Sequence, residues 1–327
     1  MKKENMNSVL GVSIAASLAL ALAATEAFAQ SYPAKPVRFI VPFAPGGGAD
    51  LVARLVATPL SESLGQQVVV DNRGGASGII GTEMAAKSAP DGYTMVLTST
   101  NLAAGVSLYR KLPFDLQKDF SPVILLAKTP SILAVHPSLP VKTVQELIAL
   151  AKSAPGKINY AGGVGTTLQL NAELFKSMAK IDLVHVPYNG TGPAVIGALS
   201  GEAPVILAPT LALLPHVKSG RLRALAITSI QRSAAVPDLP TVAESGVPGF
   251  DSSQWYGIQV PAGTPKAIVT RLNSECLKIV RGQEFIARLV KDASIPMGTT
   301  PQEFGSFLKS EIEKWVKVLK ISGAKVE

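Results

Sequence analysis

Short, β-branched, nearly continuous apolar runs recur along the chain. They are "VRFIV" (37–41), "QVVVD" (67–71), "TMVLT" (94–98), "ILAVH" (132–136), "KINYA" (157–161), "LVHVP" (183–187), "PVILA" (204–208) and "RALAI" (223–227). Runs of this kind suit strands buried on both faces. Amphipathic patterns of helical period lie between several of them: "ADLVARLVATPLSESL", "GIIGTEMAAKS", "TVQELIALAKS", "TLQLNAELFKSMAK" and "PAVIGALSG". Strand-helix alternation predicts an α/β fold whose sheets are mainly parallel, joined by right-handed crossovers. Thr143 with Glu146 reads as a capping box, and Thr300-Pro301-Gln302-Glu303 combines an N-cap, a first-turn proline and a second box. After it, Phe304, Phe307, Leu308, Ile312, Trp315, Val316 and Leu319 predict one apolar stripe.

Two stretches break the alternation. "SPVILLAKTPSILAVHP" (121–137) holds two strand-like runs with almost nothing between them, and 239–265 is rich in glycine and proline. Both read as crossings between two α/β lobes. The expected organisation is a first lobe built from 30–129 and 253–327, a second lobe from 130–252, and a cleft between them. Residues 1–29 read as a secretory leader: Lys2 and Lys3, an apolar run from Val9 to Ala24, and Ala27-Phe28-Ala29 as the cleavage site. The run is short for a membrane span. An exported protein beginning at Gln30 and residing in the periplasm is expected, with an uncleaved anchor as the alternative.

Removing the leader leaves about 300 residues, enough for two cores. Cys276 is the only cysteine, so no internal disulfide forms, and its helical surroundings predict a buried, inert thiol. The net charge of +8 is spread along the chain and aromatic residues make up only 6%. Nucleic-acid binders concentrate their basic residues and interleave stacking rings, so no nucleic-acid partner is expected. His136, His185 and His216 are too scattered for a metal motif, and no metal or cofactor is expected.

The candidate chemistry lies in two glycine-rich turns between a strand and a helix. Gly46, Gly47 and Gly48 precede Asp50 at the start of one helix; Gly162, Gly163 and Gly165 precede Thr166 and Thr167 at the start of another. Ligands of open α/β sheets bind beyond the carboxyl ends of strands, where the next helix presents unpaired N–H groups and the positive end of its dipole. Without Cβ atoms a ligand reaches those amides closely. One such turn per lobe, facing across a cleft, suits a carboxylate. Tight turning alone is the competing explanation for the glycines. "GGGADL" lacks the third glycine of the dinucleotide fingerprint, although Asp71 stands at the right distance; "GGVGTT" lacks the P-loop lysine; G-x-S-x-G is absent.

The segments "YPAKPVRFIVPFAPGGGADLVARL", "VVVDNRGGASGIIGTEMAAKSAPDGYTMVL", "VPYNGTGPAVIGALSGE", "LLPHVKSGRLRALAIT" and "LPTVAESGVPGFDSSQWYGIQVPAGTPKAIVTRLN" run in order through nearly all of the chain after the leader. Together they resemble the Bug family, the extracytoplasmic receptors of the tripartite tricarboxylate transporter type. The resemblance implies a type II periplasmic-binding-protein fold holding a carboxylate between its lobes. It places Phe43, Ala44, Pro45, Gly46, Gly47, Gly48 and Asp50 around the pocket, with Ser77 and Gly78 and the strand end Thr98-Ser99-Thr100 facing the same cleft. From the second lobe it implies Gly162, Gly163, Val164, Gly165, Thr166 and Thr167, and then Tyr188, Asn189, Gly190, Pro209 and Thr210. The family's second-lobe loop usually reads "GSxGxGTxxH"; here glycine stands near the serine place and Gln169 at the histidine. "APVILAPT" replaces a strand that usually carries a polar or acidic residue. A less polar second-lobe wall points to a less polar acid. The implied function is capture of a small organic acid, without catalysis, by a monomer that delivers it to membrane transporter subunits or a sensor protein. A hydrolase using Ser99 or Thr167, and a scavenging or adhesive surface protein, are the readings from other classes.

Overall fold

The computed structural model describes residues 32–109, 111–291 and 293–322. The expected leader and its cleavage site lie outside the described residues. The predicted apolar runs form strands β1 (Val37–Val41), β2 (Val68–Asn72), β3 (Thr94–Ser99), β5 (Asn159–Gly163), β6 (Val184–Tyr188), β7 (Val205–Pro209) and β8 (Arg223–Ile227). Two parallel cores result, β2-β1-β3 and β7-β5-β6. The helices that follow these strands are α1 (Gly48–Leu64), α2 (Ile79–Ala86), α3 (Thr100–Leu108), α4 (Val144–Ser153), α5 (Thr167–Ala179), α6 (Thr191–Ser200) and α7 (Thr210–Lys218). The return segment supplies α8 (Lys266–Val280), α9 (Gln283–Lys291) and α10 (Pro301–Ser322).

The crossings are more regular than the sequence suggests, and both sheets are mixed. The two runs of 121–137 join into one 16-residue strand, β4 (Phe120–Val135). The glycine- and proline-rich passage ends in β9 (Ser253–Pro261). Proline reads as a strand breaker, yet here it sits where the ladder is already irregular. The β4 register shifts between Pro122 and Ile124. Pro130 is the last β4 residue paired with β9, and Ser131 the first paired with β7. Thus β4 runs through both sheets: Phe120–Pro130 lies antiparallel to β9 in the first, and Ser131–Val135 lies between β7 and β8 in the second. The short β10 (Ile295–Pro296) also pairs with β4.

The first sheet buries Val37, Phe39, Val41, Leu97 and Ile258 against α1 and α8, through Val52, Val56, Leu60, Leu272 and Cys276. Burial, followed by the neighbouring Glu275 charge, pushes the Cys276 thiol up to about 12, so it stays protonated. In α10 the buried stripe is Phe304, Leu308, Ile312, Trp315 and Leu319; Phe307 is half-buried, and Val316 faces outward at 41% exposure. The stripe packs α10 against α3, β4 and α5, so this helix touches both sheets. Beneath it the buried Glu311 carboxylate accepts from the indoles of Trp255 (2.9 Å) and Trp315 (3.2 Å).

Of the two predicted capping boxes, the one at Thr300 forms in full, and the one at Thr143 forms in its hydroxyl half, with the Glu146 carboxylate accepting from Lys142 N–H instead. Glu303 N–H donates to the Thr300 hydroxyl at 3.2 Å while Thr300 N–H donates to the Glu303 carboxylate at 2.8 Å. At α4, Glu146 N–H donates to the Thr143 hydroxyl at 3.1 Å. Thr143→Ala removes that acceptor, and a loss of about 1 kcal/mol in urea unfolding is expected. An unchanged midpoint and slope would show that the box contributes nothing to this helix.

Candidate functional site

The two glycine turns are the same device built twice. In each, a glycine with positive φ precedes an extended N-cap, and the side chain at the third helical position bends back to that glycine. In the first loop these are Gly46 (φ +84), Gly47 (φ −83, ψ 174) and Asp50, whose carboxylate accepts from Gly46 N–H at 3.0 Å. In the second they are Gly165 (φ +70), Thr166 (φ −91, ψ 165) and Gln169, whose amide oxygen accepts from Gly165 N–H at 2.8 Å. Only glycine adopts that positive φ without strain. Neither helix has a side-chain cap. The first-turn N–H groups of α1 and α5, with the positive ends of their dipoles, are therefore left to a ligand.

Each bracing side chain is itself held. Asp50 is buried and also accepts from Arg54 (3.0 Å) and Asn72 (3.0 Å); Asn72 donates in turn to the Phe43 carbonyl. Burial alone raises the Asp50 carboxyl. The hydrogen bonds from Arg54, Gly46 and Asn72, with the Arg54 charge, outweigh it and hold the group below the usual carboxylate range. Gln169 is neutral and leans on His185, whose Nε2 donates to the Gly162 carbonyl at 2.9 Å and whose ring stacks on Tyr160. Thus Asp50 and Gln169 shape the loops, and the donors they spare are the backbone's.

The Asp50 geometry fixes the sign of a pH effect. A carboxylate with a lowered folded pKa stabilises fully above its unfolded value, roughly 3.9, and loses that stabilisation as pH falls through the folded value. The stability difference between the wild type and Asp50→Asn is expected to hold constant from pH 7 to pH 5 and to shrink only below about pH 4. Urea curves across that range check it. Shrinkage between pH 7 and pH 5 would contradict the pairing.

One cleft of about 750 Å³ is bordered by the first loop and by Thr167 at the start of α5, with Gly165 and Gln169 of the second loop outside its lining. Of the residues expected there, Phe43, Gly46, Gly47, Gly48, Asp50, Thr167 and Pro209 line it. The others are placed around or behind it. Ala44 and Pro45 are exposed on the first loop, outside the lining. Ser77 and Gly78 form a tight 3-10 turn, with Gly78 packed under Pro42 and Phe43. Thr98, Ser99 and Thr100 are buried; Thr98 donates to the Gly257 carbonyl, and Thr100 donates to that of Ser253 and accepts from Trp255 N–H. Gly162 and Gly163 allow close packing, since a Cβ at Gly163 would meet Thr166 at 2.9 Å. Val164 is exposed, and Thr166 turns its hydroxyl inward to the Gly163 carbonyl at 2.8 Å. Tyr188 donates to Glu202 outside the lining, Asn189 is exposed, and Gly190 has open space beside it. Thr210 is buried and donates to the Pro130 carbonyl.

Several cleft residues had no local signal. Asn101 lies in the first turn of α3, while Thr129, Gln254 and Tyr256 come from the two crossing strands. Leu211 and Ala212 form an apolar wall from α7, and Arg288 and Ser294 arrive from the return segment. The Thr129 and Ser294 hydroxyls lie 2.8 Å apart and bridge β4 to that segment. The charged residues of the lining are the Asp50–Arg54 ion pair and Arg288. Among the described residues no helix is long and apolar enough to cross a membrane.

Comparison with known proteins places these features in a family. The family model "Tripartite tricarboxylate transporter family receptor" matches residues 52–323. Protein BugT of Bordetella pertussis is 38% identical over 326 residues, 99% of this chain and 100% of that protein. An adipate-bound structure from R. palustris, Rpa4515, superposes with a TM-score of 0.76 at 36% identity, over 90% of this chain and all of that one. Malate-bound MatC from Rhodopseudomonas palustris gives 0.72 at 31% identity, over 88% of this chain and all of that one. The periplasmic binding protein BugD gives 0.73 at 31% identity, over 90% of this chain and all of that one. The α/β architecture built around the two matched loops is that of the periplasmic binding proteins, and the chain belongs to the tripartite tricarboxylate transporter receptor family.

Proposed function

We propose that this protein captures a small organic acid, with a carboxylate held between the N-termini of α1 and α5, and hands it unchanged to membrane subunits of a tripartite tricarboxylate transporter or to a sensor. One observation carries this reading: two loops of the same design, one from each sheet, leave helix-terminal N–H groups at the edges of one cleft. An anion suits such donors. The adipate and malate held by family relatives support the same ligand class.

Lobe one, in this reading, comprises 30–129 and 253–327, lobe two comprises 130–252, and the protein acts as a monomer. The single passage of β4 through both sheets and the return at Ser253 support those boundaries. Export through the leader, with cleavage after Ala29, delivers the receptor to the periplasm. No catalysis is required in this reading: of the two candidate nucleophiles, Ser99 and Thr167, the Ser99 hydroxyl is buried without a hydrogen-bonding base.

Mass spectrometry of ligand released from gently purified protein, followed by calorimetry with mono-, di- and tricarboxylates, tests the reading. A carboxylic acid recovered unchanged and rebound at one site per chain is the expected result. A released compound lacking an acid group, or turnover of the bound acid, would overturn it.

A further inference from the structure

Asn101, Thr129, Gln254 and Tyr256 form the floor of the cleft, and Tyr256 brings to it a hydroxyl that the fold leaves unused. Tyr256 lies on β9, in register with Ser99 of β3 on one side and Ala127 of β4 on the other. Its ring is packed into the core of the first sheet, and the residue is only 9% exposed. Buried tyrosine hydroxyls nearly always find a partner. Tyr32, Tyr160 and Tyr188 follow that rule, donating to the Gly92 carbonyl (2.7 Å), Glu173 (2.6 Å) and Glu202 (3.0 Å). Among the described residues nothing accepts from Tyr256, and burial is the one influence on its phenol. That burial pushes the phenol above its ordinary value, so the group stays neutral and keeps its proton.

Gly48, the first residue of α1, shows where that hydroxyl points. A Cβ at position 48 would lie 2.7 Å from the Tyr256 oxygen and 3.6 Å from the ring carbon that bears it. The oxygen is nearer than the ring, so the hydroxyl is aimed at the first turn of α1. Gly48 has no positive φ, so its backbone conformation does not demand glycine. Space does: the phenol oxygen fills the volume that a side chain would take. The N–H groups at the start of α1 have no helical acceptor, and the helix dipole adds positive potential. The Asp50 carboxylate of the same loop is already taken up by Gly46, Arg54 and Asn72. A group that touches both the α1 N–H groups and the phenol must therefore accept from both. A carboxylate oxygen does so with its lone pairs; an ammonium brings donors alone, and a neutral oxygen gains less from the dipole.

We propose that Tyr256 is a ligand-contacting residue: its hydroxyl donates to the carboxylate held at the N-terminus of α1, and position 48 is glycine so that the hydroxyl can reach it. This rests on the carboxylate reading above. The donor comes from a crossing strand, so the bound acid is tied to β9 as well as to the first loop.

The test compares the wild type with Tyr256→Phe, which keeps the ring and removes one oxygen. Calorimetry with adipate and malate, the acids held by the relatives, should show whichever of them the wild type binds held about tenfold or more weaker by the variant, because a hydrogen bond to a charged group is lost. Urea unfolding without ligand should show no loss of stability, since the hydroxyl has no protein partner to lose. In protein carrying ring-labelled tyrosine, the Tyr256 ring-carbon resonance, assigned by its disappearance from the variant, should move when the acid is added. Gly48→Ala should destabilise the wild type more than it destabilises Tyr256→Phe, where the methyl no longer meets an oxygen. A smaller loss of affinity, a fall in ligand-free stability, a Tyr256 resonance that ignores the acid, or an equal cost of Gly48→Ala in both backgrounds would overturn the contact. If the wild type binds neither acid, the acid recovered from the purified protein replaces them. A wild type that binds no carboxylic acid would overturn the carboxylate reading and the contact with it.

Discussion

A valine at position 47 is expected to abolish ligand capture in a protein that remains folded. The three glycines of the first loop differ in what a side chain would meet. Gly46 has φ +84, so any side chain there is strained. A Cβ at Gly48 would lie 2.7 Å from the Tyr256 hydroxyl, forcing the cleft wall to shift. Gly47 has ordinary extended geometry, and its nearest non-neighbouring atom, the Ala44 carbonyl oxygen, would be 3.9 Å from a Cβ. The backbone therefore accepts valine, at the cost of a poorer N-cap, about 1 kcal/mol. The branched methyls then occupy the space in front of the α1 N–H groups, where a carboxylate needs close approach. Losing two hydrogen bonds to a charged group, at about 1.5–3 kcal/mol each, weakens binding by at least about a hundredfold. Ligand-dependent compaction in solution scattering should vanish with it, since a hinged receptor closes on what it holds. Melting, affinity and scattering are measured on one sample. A folded Gly47→Val protein that binds and closes like its parent would show that the glycines serve the turn alone.

The sequence revealed most where the signal is local. The run "VRFIV" is β1 residue for residue, and the Thr143 and Thr300 hydroxyls each accept from the N–H three residues on, as predicted. The glycine turns stood out because glycine between a strand and a helix is seldom idle. Their equivalence was present but less visible: a glycine four residues before an acceptor side chain, Gly46 to Asp50 and Gly165 to Gln169. Spacing alone does not say whether such an acceptor faces the ligand or its own loop; that depends on Arg54, Asn72 and His185 packed beside it. The cleft floor was hidden for a different reason. Asn101 and Gln254 are 153 positions apart, and only the pairing of β3 with β9 brings them together. Arg288 reaches the cleft on a return helix whose own pattern speaks only of amphipathicity.

Asn171→Leu is expected to cost more stability than any cap, because Asn171 holds both crossings to the helix that carries the second loop. It sits on α5, four residues after Thr167. Its amide donates to the Ser131 hydroxyl at 2.9 Å, where β4 changes sheets, and accepts from the Ser252 hydroxyl at 2.5 Å, just before β9 begins. Thr228 completes the hub: its hydroxyl accepts from Ser131 N–H at 2.8 Å, its N–H donates to the Ser131 carbonyl, and its carbonyl accepts from Ser252 N–H. All four residues are at most 2% exposed, so water cannot replace a lost partner. Leucine matches the shape of asparagine closely but strands two buried hydroxyls, at about 1–3 kcal/mol each. Urea unfolding should show that loss as a lower midpoint with an unchanged slope. Removing the stranded groups as well, in Ser131→Ala/Asn171→Leu/Ser252→Ala, should recover a large part of it, because deleting both partners of a buried hydrogen bond is far milder than deleting one. A triple variant less stable than the single by the sum of the added serine losses would show that the cost lies in packing around residue 171, not in the hydrogen bonds that tie the crossings to α5.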